Sequence, residues 1–167
     1  ERARDLRKRP VLVSAAIKSE APKVDIIDTG FPKMMPRLLD TAGMELNDID
    51  IYEPYDNFSD TPIRALEEIG YCKRGEGKDF IRGGRISLDG ELPMTTHGGL
   101  MNEGYVHGFN NGIEAAQQLR GDAEDLCPNW REGEHTYDRT ICRQVRDPQV
   151  ALFTAEGGCG GIIFKRG

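Results

Sequence analysis

The stretch Gly98-Gly-Leu-Met-Asn-Glu-Gly-Tyr-Val-His-Gly-Phe-Asn-Asn-Gly-Ile-Glu-Ala-Ala-Gln-Gln-Leu-Arg-Gly121 constrains the fold more than any other part of the chain. Tyr105, Phe109, Ile113 and Ala116 recur at helical spacing, which predicts a buried apolar stripe on an amphipathic helix. Gly121 follows Leu119 and Arg120 as a stop, with a cation in the last turn where the helix dipole favours it. Before the helix, Gly98, Gly99 and Gly104 permit a tight turn of closely approaching backbone. That turn is expected to set Tyr105 at the helix mouth, facing unpaired N–H groups and the positive end of the dipole. A polar aromatic there is a candidate for chemistry.

Several function classes fall away on charge and composition. The net charge of −6 argues against a nucleic-acid surface. No apolar run approaches the roughly 18 residues of a membrane span, and no signal-peptide core is visible, so a cytoplasmic protein is expected. Cys72, Cys127, Cys142 and Cys159 form no C-x-x-C pair, and His97, His107 and His135 make no ligand spacing with them. Reduced thiols and no bound metal are expected. The chain starts without Met, on a basic run that reads as the tail of a surface helix, so it is expected to be part of a larger protein.

Along the chain, residues 10–17 predict a strand, and Pro32 to Gly43 a helix carrying Met34, Met35, Leu38 and Leu39. Asp48 to Tyr55 alternates as a strand and breaks at Pro54. Ser59 or Asp60 then caps a helix that runs to Gly70, with Pro62 in its first turn. Residues 73–85 predict a surface loop, and 85–92 a strand or hairpin turning at Asp89-Gly90. His107 is expected on the central helix, pointing away from Tyr105. The segment 122–139, with Trp130 and Tyr137, reads as irregular, a lid or partner contact or simply surface. Two strands, Gln149 to Ala155 and Gly161 to Lys165, close the chain around a glycine turn. Alternating strands and helices with paired final strands predict an α/β layer fold on a mixed sheet.

Ligand sites in such sheets gather at strand ends. Three segments stand there: Glu53-Pro-Tyr-Asp-Asn-Phe-Ser59, Gly98-Gly-Leu-Met-Asn-Glu-Gly-Tyr105 and Gly157-Gly-Cys-Gly-Gly161. With "AGMELNDIDIYE" and the paired last strands, they resemble the C-terminal half of the thiolase superfamily, specifically its lipid-transfer-protein-like branch. The resemblance implies a thiolase-like layered α/β fold: a mixed five-stranded sheet with helices on both faces. Residues 1–31 would be a remnant of the N-terminal half and a linker, and 32–167 the C-terminal domain.

Thiolases carry Asn-Glu-Ala-Phe, or His-Asp-Cys-Phe in the sterol-carrier branch, in the first segment, and its leading residue positions a catalytic water. Alignment on Phe58 puts Tyr55 there. The second segment usually reads Gly-Gly-x-x-x-x-Gly-His-Pro, and Tyr105 takes the place of its histidine. The third normally carries an acid/base cysteine, where Ala155 stands here, and Cys159 lies within the glycine run. The groups for Claisen chemistry are thus replaced by two tyrosines, which disfavours thiolysis. The pair matches steroid side-chain aldolases of the lipid-transfer-protein type.

That resemblance implies retro-aldol cleavage of a β-hydroxyacyl-CoA, giving a ketosteroid and propionyl-CoA. Tyr55 and Tyr105 would be the catalytic acid and base, since a phenol near pKa ~10 can serve once its surroundings tune it. His97 would line the substrate pocket, and backbone N–H groups at Gly157 and Gly158 would hold the thioester oxygen. No cofactor is implied beyond the CoA carried by the substrate. The implied partners are a second copy, forming a homodimer through the thiolase core, and an OB-fold protein bearing a zinc ribbon. Two alternatives stand beside this reading: a degenerate thiolase or acyl-CoA acyltransferase, and a non-catalytic acyl-CoA or lipid-binding scaffold subunit.

Overall fold

A computed structural model describes residues 5–18, 29–102, 104, 106–123 and 143–167. The segment 122–139 lies mostly outside these residues, with Cys127, Trp130, His135 and Tyr137, as do Tyr105 and Cys142. The described strands are β1 (Val11–Lys18), β2 (Ile51–Pro54), β3 (Val150–Thr154) and β4 (Gly160–Arg166). The helices are α1 (Phe31–Ala42), α2 (Thr61–Ile69), the single turn α3 (Gly77–Phe80) and α4 (Phe109–Arg120). The strands form one mixed sheet in the order β1-β4-β3-β2. β2 and β3 run parallel, with Tyr52 opposite Leu152, while β4 is antiparallel to both β3 and β1. No described helix is long and apolar enough to cross a membrane.

Four strands, not five, make up the described sheet. The strand or hairpin expected over 85–92 does reverse the chain, but as consecutive turns with no strand. Ser87 N–H donates to Gly84 O, Gly90 N–H to Ser87 O and Leu92 N–H to Arg85 O, so the segment's backbone groups bond to one another. Just beyond it, Pro93 O accepts from Tyr52 N–H at 2.9 Å and Met94 makes one isolated parallel bridge to Tyr52 on β2. A backbone that satisfies itself in turns has nothing left for a ladder.

Helices cover both faces of the sheet. α1 and α2 bury Met34, Met35, Leu38 and Leu66 with Tyr52, Leu152 and Ile163. Two features of α1 were visible in its sequence: Pro32 in the first turn and the left-handed Gly43 after the last. α4 covers the opposite face, where Ala115 and Leu119 pack on Ile51 and Ala151.

α4 itself departs from expectation. It begins at Phe109, with Gly108 as N-cap, so the helix mouth is four residues beyond Tyr105, and His107 lies in the turn before the helix at φ 48°. Of the expected apolar stripe, Phe109 is 68% exposed and Ile113 46%, Ala116 is half-buried, and Tyr105 lies outside the described residues. The buried face is Asn111, Glu114, Ala115, Gln118 and Leu119. The period was right and the face was wrong, because hydrogen bonds across the domain satisfy this polar face.

Candidate functional site

Tyr55 is the residue after β2, and the ladder continues through it: its N–H donates to Thr154 O at 2.9 Å. Alternation along β2 directs Ile51, Glu53 and Tyr55 to the α4 side of the sheet. Tyr55 is buried, and its ring lies against Gly108 at the N-cap of α4. A Cβ on Gly108 would collide with that ring, so glycine is required there by contact as well as by its φ of 73°.

Side chains that follow Tyr55 tie the three strand-end segments together. Asp56 Oδ2 accepts from Leu100 N–H at 3.1 Å, fastening the Gly98-Gly99 turn to the end of β2. Gly99 sits at a left-handed φ of 83° and so close to that carboxylate that a Cβ there would displace Asp56 from the clamp. Asn111, on α4, donates to Pro54 O at 2.6 Å and to Asp56 Oδ1 at 3.3 Å. Asn57 donates to Glu156 Oε1 at 2.8 Å, which brings in the glycine turn between β3 and β4. All three expected segments therefore meet at one end of the sheet.

In the third segment, Gly157 O accepts from Gly30 N–H at 2.7 Å, and Gly158 N–H donates to Ala155 O at 3.3 Å within its own turn. The Cys159 thiol is free and half-buried. A cleft of about 510 Å³ opens on the α2 side of the Gly98-Gly99 turn. Ile63, Leu66, Met94 and Met101 line it, with Asp56 and Asn102 as polar lining; neither Tyr55 nor His97 does. Tyr105, the second tyrosine of the expected pair, lies outside the described residues.

Behind Tyr55 is a buried polar cluster centred on the Thr96 hydroxyl. Thr96 Oγ1 lies 2.7 Å from Glu53 Oε1, 2.7 Å from Glu114 Oε1 and 3.1 Å from Gln118 Nε2. Thr96 N–H donates to Glu53 Oε1 at 3.0 Å. Glu114 Oε2 pairs with Arg143 Nη2 at 3.1 Å. Gln118 is fixed from the other end, its Oε1 accepting from Val145 N–H at 2.8 Å. The His97 side chain is buried here, its Nδ1 3.6 Å from Glu53 Oε2, and neither ring nitrogen hydrogen-bonds to a described residue. Burial pushes the Glu53 carboxyl up to about 8, against the opposing hydrogen bonds from Thr96. Among the described residues, no group of three or more His, Cys, Asp and Glu side chains could hold a metal ion.

Comparison with known proteins places this arrangement. The family described as "Thiolase C-terminal domain-like" matches residues 16–132. The chain belongs to that family. This thiolase C-terminal domain is 38% identical over 130 residues to 17-hydroxy-3-oxo-4-pregnene-20-carboxyl-CoA lyase of Mycobacterium tuberculosis, covering 72% of this chain and 34% of that protein. It is 37% identical over 131 residues to a steroid side-chain-cleaving aldolase of Thermomonospora curvata, with the same coverages. Among solved structures it superposes on the Ltp2-ChsH2(DUF35) aldolase with a TM-score of 0.80 and 30% identity, over 99% of this chain and 42% of that one. The chain thus spans about a third of the length of these curated relatives.

Sequence reasoning passed over Asp56, Thr96, Asn111, Glu114 and Gln118 in this thiolase domain. One signal was available: positions 111, 114, 115, 118 and 119 repeat at helical spacing as faithfully as the apolar set. Hydrophobicity weighting hid it, because a buried glutamate pays its way only through partners distant in sequence.

Proposed function

We propose that this chain is the C-terminal half of a thiolase-fold aldolase that cleaves the side chain of a steroid β-hydroxyacyl-CoA by a retro-aldol reaction. The β-hydroxyl proton is removed, the Cα–Cβ bond breaks to leave a ketone, and the electron pair forms a thioester enolate that is protonated at Cα. The products of this reading are a ketosteroid and propionyl-CoA. Tyr55 and Tyr105 are the proton-transferring pair, and the N–H groups of the Gly157 turn are aimed at the thioester oxygen. Among those groups the Gly158 N–H is already engaged with Ala155 O, which favours Gly157 for this role.

One observation carries the reading: a buried tyrosine at the end of β2, held where the three strand-end segments meet. The names of the two relatives support the reaction class. The superposed Ltp2-ChsH2(DUF35) aldolase, whose name joins two components, supports a partner subunit. The proposal extends to a homodimer through the thiolase core, an OB-fold zinc-ribbon partner and a cytoplasmic enzyme. Its domain unit is 32–167, with β1 completing the sheet.

The test uses the full protein with its partner and a β-hydroxy steroid acyl-CoA. Removing a proton-transfer group typically costs about 10²–10⁴-fold in rate. Tyr55→Phe and Tyr105→Phe should each lower kcat on that scale while ketone release by the parent is readily measured. Turnover equal to the parent in both variants would refute the assignment and favour a binding scaffold.

A further inference from the structure

The hydrogen atoms at Thr96 do not suffice for its contacts. Its hydroxyl has one proton and meets two carboxyl oxygens, each at 2.7 Å. Gln118 Nε2 donates to the same oxygen, and Gln118's orientation is set by its Oε1 accepting from Val145 N–H and Gln144 Nε2. The hydroxyl can satisfy one carboxylate. The other 2.7 Å contact needs a proton of its own, carried by the carboxyl group. Glu114 faces Arg143 and receives a further bond from Gln118 at 2.8 Å, both of which favour its charged form. Among the described residues Glu53 has no cation at hydrogen-bond distance, and its side chain is fully buried. The proton therefore belongs on Glu53.

The geometry points to Glu53 as a positioning residue: a neutral, proton-bearing carboxyl that locks β2, the Thr96 turn and α4 together and so holds Tyr55 against Gly108 at the N-cap of α4. The three elements joined are those that carry or flank the proposed catalytic pair. Glu53 is two residues before Tyr55 on the same side of the strand, Thr96 is two before Gly98, and Glu114 is on the helix whose N-cap touches the Tyr55 ring. Loss of the proton would put a second negative charge beside Glu114, with Asp56 also near and His97 and Arg143 as the facing basic groups. The effect on turnover rests on the aldolase reading; the proton itself does not.

The sign of the pH dependence follows. A carboxyl lifted from 4.5 to about 8 holds its proton in the folded protein where the unfolded chain has released it. Its stabilisation is complete below the unfolded value and is lost as pH rises through the folded one. Glu53→Gln keeps the shape without titrating, and its amide either donates to Thr96 Oγ1 or, turned over, accepts from Thr96 N–H, so it retains one of the two bonds that Oε1 makes. Glu53→Leu removes the bonds.

Thermal unfolding of the full protein between pH 5 and about 9.5 is the first readout. The Glu53 component should lower the parent midpoint progressively from about pH 5 to about pH 8 and level off above it, the Glu53→Gln midpoint should lack that component, and Glu53→Leu should be lowered throughout. In the cleavage assay, misplacing Tyr55 should lower kcat about a hundredfold in Glu53→Leu with little change in KM, and Glu53→Gln should restore most of it. A Glu53→Gln profile that tracks the parent, or a Gln variant as damaged as the Leu one, would overturn the assignment. If the parent cleaves no steroid thioester, the aldolase reading fails, and the unfolding profiles still decide the proton.

Discussion

The two faces of the sheet are built on opposite principles. Toward α1 and α2, Tyr52, Leu152 and Ile163 meet Met34, Met35, Leu38 and Leu66 in a continuous apolar layer. Toward α4, the apolar contact shrinks to Ile51, Ala115, Leu119, Val145 and Ala151, and beside it Glu53, Thr96, Asn111, Glu114 and Gln118 are buried as a hydrogen-bonded group. An apolar layer tolerates small shifts, since its attraction is non-directional. A polar cluster does not: each donor must meet its acceptor, and an orphaned group is costly. Tyr55 lies on the polar side. The domain thus uses oil for cohesion and directional bonds where a side chain must be aimed.

Substitutions should separate the two modes. The largest loss is expected from Leu38→Ala in the apolar layer or Glu114→Ala in the polar cluster. The first leaves a cavity at a cost of about 2–5 kcal/mol, and the second strands Arg143 and Thr96 at about 3–5 kcal/mol. Denaturant unfolding of both, repeated as Leu38→Met and Glu114→Gln, should tell them apart. Leu38→Met should recover to within about 1.5 kcal/mol. Glu114→Gln should recover less, because it loses the charge that faces Arg143.

Gly108→Ala tests aim rather than cohesion. It places a methyl against the Tyr55 ring at a left-handed backbone position, and should cost about 1–3 kcal/mol. Its effect on kcat should exceed that of any apolar-layer variant of equal stability; proportionate losses would dissolve the contrast between the faces. A smaller effect is expected for Asp56→Asn, which keeps the shape of the clamp on Leu100 N–H but weakens a charge-assisted bond, by about 1 kcal/mol. A shifted turn should appear as faster amide exchange at Leu100. The smallest belongs to Arg64→Ala on α2, whose ion pairs to Asp60 and Glu68 are 3.8 and 3.9 Å long. Unfolding should change by about 0.5 kcal/mol or less.

Much of this architecture was legible from the sequence because its signals are local. Pro32 and Gly43 bracket α1, and Gly70 and Gly121 end α2 and α4 in left-handed turns. Alternation ending at Pro54 marked β2, and the glycine-flanked motifs located the strand ends that the fold brings together. What misled was equally specific. Residues 85–92 had a strand's composition, yet their N–H groups found carbonyls a few residues away, so no ladder formed.

Element order, caps and the thiolase-like segments were written in the chain alone, since each depends on backbone preferences within a few residues. Packing across the domain selected which face of α4 turns inward, since periodicity defines a stripe but not its partner. Asn111 is buried because Pro54 O is 57 residues away in sequence and 2.6 Å away in space. Glu114 and Gln118 are buried because Thr96 and Arg143 come to meet them. The protonation of Glu53 arises in the same way: burial beside a second carboxyl is a property of the assembled fold, and only there does a glutamate hold a proton near neutral pH.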